Sequence, residues 1–417
     1  MSERLYYSES FLASFEARVS DVREVSRSQG QSLWQLALDR TAFYPSSGGQ
    51  PHDVGTLAAV SPSGVRLSAP VLAVEEDEEG VIWHTTAKPL NAGTPVTGQI
   101  DWHRRQDHMQ QHSGQHLLSA VLLRENHAPT VSFHLGETAS TIDLAVESIS
   151  AEDLWKAEDL ANQIIAEDRP VRTRTASREE ATELLASGVL RKLPERDGAI
   201  RLIEIADLDL NACGGTHVRS TGQIGGLLIS GTERVRQGLR IEFVCGLRAV
   251  HSARRERTSL ARSASALSVG RLQVPDAVDR LIADEKASVK QKQRLEEELA
   301  DYHAARLLVE SPIDDGLRIV RRTFADRAPA YVKLLASRLT ASAPQTVALL
   351  SSAAQEPAKV VIAAGQDLEV NCGALLRQAL AAFGERGGGS STLAQGQISG
   401  AQLDALFDAI EASLRKP

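Results

Sequence analysis

Two pentapeptides about a hundred residues apart constrain this chain more than any other feature. HSGQH (112–116) lies in the run RRQDHMQQHSGQHLLSAVLLREN, where Gly114 is the only Gly or Pro. The apolar residues of that run, Met109, Leu117, Val121 and Leu122, fall at helical spacing. On such a helix His112 and His116 stand one turn apart on one face, the spacing by which a helix gives two imidazoles to one zinc ion. CGGTH (213–217) sets Cys213 and His217 around two glycines, which let a loop aim both side chains inward. Thiolate with imidazole is a zinc-type donor set. Six of the eleven histidines lie in the 32 residues from His103 to His134, far above an even share. The expectation is one Zn2+ shared by His112, His116 and Cys213, with His217 either a fourth ligand or set back to leave a position for water or substrate. The polar neighbours Ser113, Gln115, Thr216 and His134 suit an accessible cleft, whereas His103 and His108 are read as solvated or structural.

At 417 residues the chain exceeds a single compact core. Residues 1–98 read as short strands broken by Gly and Pro (SLWQLALDRTAFYP, SSGGQPHDVG, VIWHTTAKPLNAGTPVTGQI), which predicts a small β-barrel. Residues 99–246 mix the histidine helix, the strand STIDLAVE, a helix capped by Ser150, AIRLIEIADLDL and a hairpin at 225–246, predicting an α+β layer domain. Residues 247–310 are helical throughout, with Pro275 at a break, and read as a hairpin spacer. Residues 311–417 return to strands (RIVRRTF, TVALLSSA, KVVIAAG), a glycine cluster and a last helix near 400–415, predicting an α/β domain. The fold class is α+β.

No apolar run approaches the ~18 residues of a membrane span, and MSERLYYSES lacks the apolar core of a secretory signal. Three scattered cysteines give no disulfide framework, so a cytoplasmic protein without membrane contact is expected. The net charge of −8 argues against a surface coated for nucleic acid but leaves room for a local basic groove.

Three motifs in order, TAFYPSSGGQPHDVG, HSGQHLLSA and NACGGTHVRSTGQIG, resemble the editing domain of alanyl-tRNA synthetase over residues 35–245. They resemble more closely the AlaX family, free-standing proteins that hydrolyse mischarged alanine tRNA. The C-terminal half is similar to the long form of that family, with a domain also found on DHH phosphoesterases. The resemblance implies a hydrolase that deacylates Ser-tRNA(Ala), and Gly-tRNA(Ala) as a further substrate, at the zinc. It implies that Thr41 lies in the amino-acid pocket and bonds the serine hydroxyl, a device that rejects alanine strongly. It places Gly48, Gly49 and Gln50 along the substrate pocket and His134 against substrate or ribose. Gly387, Gly388 and Gly389 match a glycine-rich tRNA-binding stretch, although Ser390 and Thr392 replace the family's arginine and aspartate there. With that departure, homodimerisation is the other role open to the C-terminal domain. No synthetase catalytic domain is expected ahead of the barrel, and no GxxxxGK[ST] phosphate loop occurs. Two other readings stand beside this one. The first is zinc-dependent editing of another aminoacyl-tRNA, such as the threonine type, which lacks the GGQ barrel. The second is a non-catalytic tRNA-binding protein with structural zinc.

Overall fold

A computed structural model describes residues 2–28, 31–60, 64–194, 198–236 and 238–415. They form two compact units, residues 1–262 and 263–417. Among the described residues no helix is long and apolar enough to cross a membrane.

The first unit opens with a closed six-stranded barrel. Its strands are β1 (Ser14–Ser28), β2 (Gln31–Leu38), β3 (Gly55–Val60), β4 (Arg66–Glu76), β5 (Ile82–Thr86) and β6 (Pro95–Ile100). They close in the order β1-β2-β5-β4-β3-β6. Alternation fills the interior: along β6 Val96 and Ile100 are buried while Pro95, Thr97 and Gln99 face out.

Two polar residues sit inside this apolar core and satisfy each other. His84 Nδ1–H donates to the Leu36 carbonyl (2.9 Å), so its Nε2 accepts from the Thr41 hydroxyl (2.8 Å). Thr41 Oγ1 in turn accepts the Phe43 N–H at 3.1 Å. Burial pushes the His84 imidazole down to about 4 from its ordinary 6.5. The unfolded chain therefore takes up a proton near 6.5 that the barrel refuses until about 4. This stability is complete above 6.5 and is lost as pH falls toward 4, by about 3 kcal/mol. In His84→Phe, urea unfolding should lose close to one proton of pH dependence across that window. An unchanged slope would exclude His84 as the acid-sensitive group.

Asp101 caps the next element, accepting Arg104 N–H (3.2 Å), and starts α1 (Trp102–Asn126). Helix α1 ends on His127, which takes the left-handed conformation (φ 51°). It packs with α2 (Ala151–Ala166), capped by Ser150, against a four-stranded antiparallel sheet. That sheet has the order β12-β13-β8-β7, from β7 (Thr130–Leu135), β8 (Ser140–Leu144), β12 (Leu227–Val235) and β13 (Gly238–Cys245). A smaller antiparallel sheet joins β9 (Val171–Ala176), β10 (Ile200–Ile205) and β11 (Asp209–Ala212), with α3 (Arg178–Ala186) over its own small core.

Barrel and helix layer are tied by a fully buried ion pair that the sequence reading missed. Arg105 of α1 donates to Asp53 through Nε and Nη2, and to the carbonyls of Ser10 and Ala42. Asp53 also accepts the Tyr44 N–H at 2.6 Å. Both side chains are 0% exposed.

From Gly246 the chain enters α4 (Leu247–Ala266), and α5 (Val274–Glu310) follows with Pro275 in its first turn. Pro275 thus stands at the expected break between the two helices, in the first turn of the second, where a missing N–H costs no helix hydrogen bond. Helix α5 is exposed at every position from 278 to 295, so this stretch carries no buried stripe. All of α5 belongs to the second unit, and its C-terminal end packs into that unit's core through Ala300, Ala304 and Leu307.

That unit is a mixed five-stranded sheet in the order β14-β15-β16-β18-β17. Its strands are β14 (Arg318–Phe324), β15 (Thr346–Ser352), β16 (Ala358–Ala364), β17 (Gly387–Gly389) and β18 (Leu393–Ile398). β15 runs parallel to β14 and the remaining pairs are antiparallel. Every residue of β15 is buried because both faces are covered. Val347 and Leu349 meet α7 (Cys372–Ala381) and α8 (Leu403–Leu414). Ala348 and Leu350 meet α6 (Pro329–Ser342) and the end of α5. Gly387, Gly388 and Gly389 lie within this sheet. They form β17, an edge strand paired to Gly396, Gln395 and Ala394.

Candidate metal centre

The α1 register brings His112 and His116 to one face of a buried helix, and Gly114 lies on the other side against β13. A Cβ there would sit 2.2 Å from Cys245 Sγ, so only glycine allows the close approach. The loop after β11 carries Cys213 and His217 up to the two imidazoles. Gly215 permits the contact, since a Cβ at that position would lie 2.2 Å from His112 Cε1.

One donor atom from each of His112, His116, Cys213 and His217 lies within 4.8 Å of the others. Cys213 Sγ is 3.4 Å from His112 Nε2 and 3.3 Å from His217 Nε2. Tetrahedral zinc with N and S bonds of about 2.0–2.3 Å has donor–donor edges of roughly 3.3–3.8 Å, so the four residues fit such an ion. The three imidazoles are buried, and Cys213 is half-buried beside exposed Gly214. Burial, then the neighbouring imidazoles and Arg201, hold His112 and His217 well below their ordinary range. Burial, then Arg191 and Arg201, bring His116 down to about 3. Burial raises the Cys213 thiol. The imidazoles are thus neutral, the form that ligates, and the thiol needs a cation to lose its proton.

Each ligand has an outer partner. His112 Nδ1–H donates to Gln50 Oε1 at 2.8 Å. His217 Nδ1 lies 3.1 Å from Ser113 Oγ, which also accepts Val218 N–H. Gly215 N–H points at Cys213 Sγ (3.4 Å), and Asn211 approaches His116 Nδ1 (3.5 Å). Arg201 is the main residue overlooked in the sequence. It braces the ligand loop by donating from Nη1 to the carbonyls of Cys213 (2.7 Å) and Gly215 (2.8 Å). Its only trace is a basic residue at the start of an apolar strand.

The other expected site residues are placed differently. Thr41 is 0% exposed, and its hydroxyl is hydrogen-bonded to His84 and to the Phe43 amide within the barrel. His134 is exposed on β7, on the opposite strand face from Phe133, whose ring lies 5.5 Å from that of His112. It therefore does not join the cluster. Gly48 and Gly49 take φ +53° and +80° in the turn closed by Ser47 and Gln50, and Gly49 packs on Phe133. Gln50 is a hydrogen-bond partner of His112 and Thr216. Ser113 and Thr216, expected in an open cleft, are buried, since their groups serve the ligand loop. His103 is exposed, and His108 is buried with Nδ1 unpartnered among the described residues.

Comparison with known proteins bears on this arrangement. The family described as the threonyl and alanyl tRNA synthetase second additional domain matches residues 200–242, which include CGGTH. The class II (A) tRNA synthetase family matches residues 1–104, and the DHHA1 domain residues 319–416. The alanine–tRNA ligase of Pyrococcus abyssi is 32% identical over 437 residues, covering 99% of this chain and 43% of that protein. The chain belongs to the alanyl-tRNA synthetase-related family. The ligase of Natronomonas pharaonis, also 32% identical, again covers 99% of this chain and 43% of its own length. The chain therefore spans less than half of these synthetase relatives. Among solved structures, the C-Ala domain of Aquifex aeolicus alanyl-tRNA synthetase is 20% identical and covers 24% of this chain and 96% of that domain. Its TM-score is 0.22.

Proposed function

We propose that this synthetase relative hydrolyses the ester of mischarged alanine tRNA, Ser-tRNA(Ala) first, at a zinc ion held by His112, His116, Cys213 and His217. The observation that carries the reading is the buried His3Cys donor cluster in the region related to alanyl-tRNA synthetase. Water adds across the acyl C–O bond, its hydroxyl going to the carbonyl carbon and its proton to the ribose oxygen. Bound zinc would polarise the carbonyl or lower the pKa of a water by accepting it as a fifth ligand or in place of one of the four donors. The chain's part is to hold three neutral imidazoles and one ionisable thiol together in a buried site.

Beside Thr41, a second acceptor is available for the serine hydroxyl. Gln115 Oε1, one residue from His116, is buried and has no partner among the described residues. Its Nε2 donates to Ser119, which accepts Thr130 as well. A buried acceptor left unpaired by alanine would favour serine.

Deacylation of seryl-, glycyl-, threonyl- and alanyl-charged tRNA by the full chain tests the reading. Faster release of serine than alanine is expected. Release from threonyl-tRNA alone would favour the threonine-type alternative, and no release from any would favour a tRNA-binding protein with structural zinc.

A polyanionic partner also needs a basic surface on a chain of net charge −8. Arg254, Arg255, Arg257 and Arg262 of α4 are exposed and form no ion pair among the described residues. With all four changed to Gln, the plot of log K against log salt for tRNA binding should flatten by about 3. An unaltered slope would remove α4 from the tRNA surface.

A further inference from the structure

The GGQ turn ends on a residue whose groups are already committed. Gln50 is 2% exposed. Its Oε1 accepts His112 Nδ1–H at 2.8 Å and Thr216 N–H at 3.1 Å, and its Nε2 donates to Thr216 Oγ1 at 2.9 Å. The two Thr216 bonds set the orientation of the amide, with oxygen toward His112. An amide oxygen only accepts, so the proton of His112 is fixed on Nδ1. The Nε2 lone pair is thereby turned toward Cys213 Sγ, 3.4 Å away. The fit is tight: a Cβ on Gly215 would stand 2.4 Å from His112 Nδ1 and 2.9 Å from Gln50 Oε1.

Position in the chain makes this arrangement informative. His112 comes from α1 and Thr216 from the ligand loop, while Gln50 comes from the barrel, 62 residues before His112. The turn is itself anchored at the site. Gly49 O accepts Leu135 N–H (3.2 Å), and Gly49 abuts the Phe133 ring that lies against His112.

We propose that Gln50 is a positioning residue of the metal centre, through which the barrel sets the tautomer and direction of His112 and clamps the Cys213–His217 loop. The inference rests on the metal reading above. It assigns the barrel a part in building the site, distinct from any contact with substrate.

The test uses the full chain, with Zn2+ affinity measured by chelator competition and the thiolate–cobalt absorption band read after Co2+ loading. Thermal midpoints of the metal-free proteins serve as the folding control. Gln50→Leu keeps the volume but loses the acceptor, and should bind Zn2+ about 10–100-fold more weakly with an altered cobalt band. Gln50→Glu keeps an acceptor for both N–H groups and should return the affinity to within a few-fold of the parent. Thr216→Val spares the bond to His112, and should weaken binding less than Gln50→Leu does. If Gln50 were only structural, Gln50→Leu would lower the metal-free midpoint yet leave affinity and cobalt band unchanged, and that result overturns the proposal. A Gln50→Glu chain as weak as Gln50→Leu overturns it too. A parent chain that binds neither ion removes the metal reading and the proposal together.

Discussion

Cys213→Ala is expected to reduce bound zinc from about one ion per chain to near none, and to abolish deacylation with it. The thiolate is the only anionic donor among the four, and the softest. Without it, three neutral imidazoles would hold a divalent cation beside the Arg201 guanidinium, with no negative charge among the ligands. The affinity lost should therefore exceed the ~10–100-fold typical of losing an outer partner. The fold should survive, because the bonds that brace the loop, apart from the long Gly215 N–H contact to Sγ, do not depend on the cysteine side chain. Arg201 grips the loop through the carbonyls of Cys213 and Gly215, and Gln50 holds Thr216. Elemental analysis after dialysis, with circular dichroism of the same sample, checks both halves. Undiminished zinc would remove Cys213 from the centre, and a collapsed spectrum would make the metal a folding element.

What was legible in the sequence follows the range of the forces involved. The helix bearing His112 and His116 was readable because a 3.6-residue period and its cap are local properties of residues 101–127. The β13 partner of β12 was readable because a hairpin closes over few residues. Side-chain direction across strands was not. His134 and Phe133 are neighbours, yet only Phe133 faces the imidazoles, and one step of register decides between them. Thr41 is a related case: a hydroxyl on a strand looks free in the sequence until its partner is known, and His84 lies 43 residues away. Gln50 and Arg201 carry no local signature either. Each acts on a loop that reaches it only after the chain has folded, so composition and spacing leave them indistinct from surface residues. The glycines of 387–389 read as a loop because glycine is poor in strands, whereas here their lack of side chains suits an edge strand packed closely on α7.

The second large effect should come from residues that touch neither metal nor substrate. Arg105→Ala leaves the Asp53 carboxylate fully buried, with the Tyr44 N–H as its remaining partner among those described above. Asp53→Ala leaves a buried guanidinium held only by the carbonyls of Ser10 and Ala42. Each single change should destabilise the first unit by about 3–5 kcal/mol, since an uncompensated buried charge costs more than the pair gains. Combining Arg105→Met with Asp53→Leu should cost far less than the two truncations added, because both desolvation penalties vanish together. The consequence reaches the site through geometry. Arg105 lies two turns before His112 on the same helix, and Asp53 lies three residues after Gln50, so one ion pair registers the helix ligands against the turn that holds them. Urea unfolding of the three proteins, followed through the first unit, gives the energies, and zinc affinity of the folded double variant gives the coupling. Single changes costing under about 1 kcal/mol would show that water enters and solvates the pair. A double variant as unstable as the sum of the truncations would mean that the shape of the two side chains, and not their charge, joins the barrel to the helix.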